Sequence, residues 1–98
     1  MSDALALLDS PGIVILHFHM EPTCPPCLRL APILAKVARE EGVPVVKVNL
    51  HEKTFDRVAD RFQVMETPTV VIVRDGQEVA RGIPTTEIGL RRILGRAR

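Results

Sequence analysis

Apolar residues follow two rhythms along this chain. From Ile13 to His19 they run unbroken and β-branched, apolar on both faces until the histidines. Such a run predicts a strand covered on both sides, at the centre of a sheet. From Leu28 to Glu41 the apolar positions 30, 33, 34, 37 and 38 follow helical spacing, and Gly42 is a natural residue to end that helix. Pro32 lies inside it, removes one backbone bond and predicts a kink. The strand rhythm returns over Val43 to Leu50, with Pro44 near the start. Thr54 can cap a helix that carries Phe55, Val58, Ala59 and Phe62 on one face. Gln63 to Thr67 reads as a loop leading to Pro68. Thr69 to Val73 and Gln77 to Arg81 then flank Asp75-Gly76, a strong hairpin signal. After Gly82-Ile83-Pro84, Thr85 or Thr86 caps a last helix with Ile88, Ile93 and Leu94 inward, stopped by Gly95. At the other end, Ser2 or Asp3 caps a short amphipathic helix ending near Asp9, and Ser10-Pro11-Gly12 breaks it.

The order is α-β-α-β-α-β-β-α. Two strands joined by a long helix should lie parallel with a right-handed crossover. The hairpin adds two more strands, giving an α/β sandwich with helices on both faces. Ninety-eight residues allow one domain, 1–98, with a modest core.

Charge changes this picture little. A hydrophobic fraction of 46% and a net charge of +1 argue against disorder and against nucleic acid as a partner. No apolar run reaches the ~18 residues of a membrane span. Met1-Ser2-Asp3 gives no basic leader region, so a cytoplasmic protein is expected. Arg91, Arg92, Arg96 and Arg98 crowd the last eight positions. They read either as an anion-binding tail or as cations that complement a helix C-terminus.

Chemistry concentrates at Thr23-Cys24-Pro25-Pro26-Cys27, where the first strand hands over to the first long helix. These two cysteines are the only ones in the chain, and their placement reads as a redox dithiol. Cys24 falls at the helix N-cap, where its sulfur meets the positive helix end and can accept the Cys27 amide. Its pKa is expected below the ordinary ~8.5. Cys27, one turn in and more buried, suits the resolving role. Two intervening prolines leave few amide donors and stiffen the loop. Two other readings stay open. His17, His19, Cys24 and Cys27 form a donor set of the kind zinc favours, and the cysteines could instead be structural or a redox sensor.

Cys24 and Cys27, Pro32 five residues on, Thr67-Pro68-Thr69 and Asp75-Gly76 occur here in an order that resembles a thioredoxin-like domain. The resemblance implies a three-layer α/β/α sandwich with a mixed four-stranded sheet, here lacking the family's extra N-terminal strand. It implies a cis bond before Pro68, and reduction of protein disulfides by the Cys24/Cys27 couple with no other cofactor. It also implies an upstream reductase or dithiol donor as partner. Thr23, Pro25, Pro26, Thr67 and Pro68 would receive the substrate segment, with Met65 on the docking rim. Thr23 replaces the family's tryptophan and Pro25 its glycine, and the chain has no Trp. His17 falls where thioredoxins place a buried acid that moves protons to and from the resolving cysteine. It therefore stands either as a proton carrier for Cys27 or as a satisfied core histidine. His19 is expected to line space left by an absent aromatic side chain, and His51 to be solvated. Lys47 either tunes the site or guards a sheet edge, and a monomer is expected.

Overall fold

A computed structural model describes residues 6–20 and 24–98. Strand β1 spans Ile13–His19, helix α1 Pro25–Glu41, and strand β2 Val45–Asn49. Helix α2 is Asp56–Phe62, the hairpin strands β3 and β4 are Thr69–Arg74 and Gln77–Gly82, and helix α3 is Glu87–Arg96. Single 3-10 turns cover Leu7–Asp9 and Lys53–Phe55. The sheet order is β2-β1-β3-β4, with β1 and β2 parallel and the other pairs antiparallel. The described residues therefore form a mixed four-stranded α/β sheet with the three helices α1–α3 packed on it, β1 at its interior.

Side chains on a strand alternate between faces, and the two cores follow that alternation. Ile15, Val70 and Ile72 pack with Leu30, Leu34 and Val37 of α1 and with Leu90, Ile93 and Leu94 of α3. Val14, Leu16, Phe18, Val46, Val48, Val71 and Val73 turn the other way, onto Val58 and Phe62 of α2. By the same parity His17 and His19 share the face of Ile15, beneath α1. His17 lies level with Lys47 of β2 on one side and Val70 of β3 on the other.

Several boundaries differ from the sequence expectation. The second strand is shorter, Val45–Asn49. Pro44 stays outside it, contributing only its carbonyl to the Ile15 amide at 2.9 Å. Thr54 caps nothing: it lies within the 3-10 turn, and Phe55 takes the N-cap of α2 with no side-chain hydrogen bond. Gly95 does not stop the last helix, which runs on to Arg96. Of the two candidate caps there, Thr86 is the one used, accepting from the Gly89 amide at 3.0 Å. Gly42 does end α1, in the left-handed region at φ 67°. At the hairpin, Asp75 and Gly76 both have positive φ, as a tight two-residue turn between right-twisted strands requires. The N-terminal capping residues Ser2 and Asp3 lie outside the described residues.

The C-terminal arginines divide. Arg91 bridges Glu40 and Glu41 of α1 and Glu87 of its own helix, and Arg98 reaches Glu41 at 2.6 Å. These cations tie α3 to the end of α1. No helix among the described residues is long and apolar enough to cross a membrane.

Candidate functional site

Helix α1 begins at the cysteine pair. Cys24 is its N-cap, and Pro25 and Pro26 fill the first two helical positions. Proline is well tolerated there because its fixed φ suits a helix start and its missing N–H has no intrahelical partner to lose. The first amide left to serve the cap belongs to Cys27, and it donates to Cys24 Sγ at 3.3 Å. The two sulfurs are joined as a disulfide, with the Cα atoms 5.2 Å apart. Both cysteines are nearly buried, whereas Pro25 and Pro26 are exposed.

Beneath them lies His17. It shares a small cavity of about 80 Å³ with His19, Met20, Cys27, Leu28 and Lys47. A second cavity, of about 210 Å³, is also walled by His17 and Lys47. Only 2% of His17 is exposed, and neither ring nitrogen has a hydrogen-bond partner. Burial pushes its pKa down to about 4, helped by the neighbouring His19 and by the Lys47 ammonium. The imidazole is therefore neutral at pH 7. A core histidine satisfied by a backbone group would not look like this. His19 lines the same cavity with its ring 5.3 Å from that of His17, and His51 is exposed.

The chain returns to the start of α1 at Thr67–Pro68, whose peptide bond is cis. Pro68 is buried, and Thr67 is half-buried. A cleft of about 290 Å³ brings Pro68 together with Pro26 and Arg29 of α1 and with Ile83, Pro84 and Thr85. Met65 is 94% exposed and lines a neighbouring groove that shares Ile83. Of the expected site residues, Cys24, Cys27, His17, Pro25, Pro26, Thr67 and Pro68 gather at this end of the sheet. Thr23 lies outside the described residues.

Sequence reasoning missed Ile83, Pro84 and Arg29. The available signal was Ile83-Pro84 itself, an apolar pair between strand and helix, of which Pro84 is buried and Ile83 exposed. The four donors of the zinc reading do not converge. Among the described residues, no group of three or more His, Cys, Asp or Glu is placed to hold an ion.

Comparison with known proteins bears on this arrangement. The family model described as Thioredoxin matches residues 4–90. The chain is 38% identical over 71 residues to the thioredoxin of Chlamydia pneumoniae, covering 71% of this chain and 67% of that protein. It is 36% identical over 80 residues to the thioredoxin of Mycobacterium tuberculosis, covering 82% and 68% respectively. Among solved structures, Fasciola hepatica thioredoxin is similar with a TM-score of 0.79 at 27% identity, over 98% of this chain and 90% of that one. The oxidised thioredoxin of Plasmodium falciparum gives a TM-score of 0.81 at 23% identity, over 100% and 93%, a likeness of fold.

Proposed function

The chain belongs to the thioredoxin family of thiol–disulfide oxidoreductases, and we propose that it works in the reducing direction on protein disulfides, through Cys24 and Cys27. The observation that carries this reading is the sulfur of Cys24 at the N-terminus of α1, with the Cys27 amide aimed at it. A thiolate there gains from the helix end and from that amide. In the reduced protein the Cys24 thiolate attacks one sulfur of a substrate disulfide. A mixed disulfide forms, and the other substrate sulfur leaves as a thiolate that takes up a proton. Cys27 then loses its proton and attacks Cys24 Sγ, expelling the second substrate thiol. Two electrons pass to the substrate, and the Cys24–Cys27 disulfide remains for an upstream reductase or dithiol donor to reopen. The couple needs no other cofactor.

His17 is the proton acceptor we assign to Cys27. The two line one cavity, and His17 is neutral with both nitrogens unpaired. An anion developing on Cys27 in that enclosed space favours the imidazolium, so the low pKa of the resting state rises as it is needed. Thr67 and the buried Pro68 would form the wall against which a substrate segment lies, with the exposed Pro25 and Pro26 across from it.

Reduction of insulin disulfides with dithiothreitol as donor tests the reading. Turnover by the natural chain is expected, with none from Cys24→Ser and a trapped mixed disulfide from Cys27→Ser. A natural chain that gives no turnover, although its dithiol forms, refutes the reducing role.

A further inference from the structure

The cleft beside the disulfide is apolar along most of its wall. Pro26, Pro68, Ile83 and Pro84 line it, and Ile83 is 49% exposed, a large apolar side chain left in water in the same cleft as Pro26 of the cysteine segment. Arg29 is the one ionisable side chain in that lining. It is exposed, and among the described residues no ion pair or hydrogen bond holds its guanidinium. Several other arginines are committed, Arg81 to Glu78, Arg91 to Glu40, Glu41 and Glu87, and Arg98 to Glu41, while Arg29 is the one that borders this cleft. The one acid of α3, Glu87, is taken up by Lys36 and Arg91. On the far side of Ile83 the sign reverses, because the groove lined by Met65 carries the Glu66 carboxylate, and its Arg81 is paired.

From this charge arrangement we propose that the cleft selects disulfide substrates whose segment next to the attacked cysteine carries an acidic side chain, with Arg29 as the specificity-determining residue. The occupant is an extended peptide. An apolar side chain covers Ile83 and Pro84, and a carboxylate meets Arg29, with the hydroxyl of Thr85 at the rim. A low-dielectric wall on one side of the pair strengthens the attraction relative to open water. Reversing the segment would bring the carboxylate to Glu66, which repels it, so the two grooves also fix the direction in which the segment lies. The inference rests on the reducing function and adds a substrate class to it.

Two peptides with one internal disulfide, differing only in Asp or Lys two residues from the cysteine, form the test. A small neutral disulfide serves as reference for the natural chain. Single attractive and repulsive contacts of ~1 kcal/mol each predict a ratio of kcat/KM, Asp over Lys, of about 10–30 at low salt. The ratio should shrink towards unity as salt is added. Arg29→Gln should bring it to near one, Arg29→Glu should invert it, and Arg29→Lys should keep most of it. Turnover of the neutral disulfide with equal rates on the two peptides overturns the selectivity while leaving the reducing function standing. A natural chain that turns over none of the three disulfides overturns both.

Discussion

Pro26 withholds an amide from the sulfur that needs one. Cys24 accepts from the third helical amide, that of Cys27, while the second position has no N–H to offer. Hydrogen bonds to charged groups contribute ~1.5–3 kcal/mol. Pro26→Ala supplies that donor, and the Cys24 thiol of the reduced protein should then ionise about one pH unit lower. Iodoacetamide alkylation rate against pH reads this directly. Beneath the sulfur, His17→Leu keeps the cavity filled and removes the proton acceptor. General acid–base groups contribute ~100-fold or more, so the mixed disulfide should persist at least tenfold longer near neutral pH in stopped-flow measurements. An unchanged lifetime would return His17 to a packing role. The cysteine pair was legible because its spacing and setting are local. His17 was tied to Cys27 by the family resemblance, and strand parity then sets it on the face beneath α1, in one cavity with Cys27. Arg29 and Ile83 were not legible as partners of one cleft, since residues 26–30, 68 and 83–85 meet only after the sheet and α3 are in place.

Among the elements, α3 shows what local signals can and cannot say. Thr86 was readable as a cap because its hydroxyl precedes Glu87 and an apolar rhythm. Gly95 was misread as a stop because a glycine looks the same in sequence whether it ends a helix or sits in one. Here Arg91 ties the helix to α1, and the helix runs through Gly95 to Arg96, where the Ala97 amide closes on the Leu94 and Gly95 carbonyls. A Cβ at Gly95 meets nothing within 4 Å. Gly95→Ala should therefore stabilise the protein by about 0.5–1 kcal/mol. That is a rise of a few degrees in Tm by calorimetry. Thr86→Ala should act oppositely, losing about 1 kcal/mol with the cap. The start of α2 was misplaced for a physical reason as well. Phe55 takes its N-cap position with no side-chain bond and packs beside Val58 and Phe62, so burial overrode capping preference.

The whole molecule inherits an acid limit from one ring. His17 is held at about 4 when folded, against the ordinary imidazole value of 6.5. The unfolded chain therefore binds more protons through that window, and stability falls as pH drops from about 6.5 to about 4. The loss due to this residue is roughly 3 kcal/mol, a large share of the stability of a chain this size. Urea midpoints measured between pH 7 and pH 4 should drop steeply, and His17→Leu should flatten that fall. The sandwich was legible because strand and helix rhythms alternate along the chain, whereas the order of strands across the sheet is set by pairing that the rhythm does not show. The extent of β2 was not legible, because pairing with β1, not composition, sets where an outer strand ends.

β2 is the outermost strand on its side, and Lys47 stands on it in water while lying level with the enclosed ring of His17. Its ammonium is one of the influences that keep that ring unprotonated. Acylating the lysine from outside would lift the influence and make the interior imidazole easier to protonate. A reagent that never enters the protein would thus retune its least accessible base.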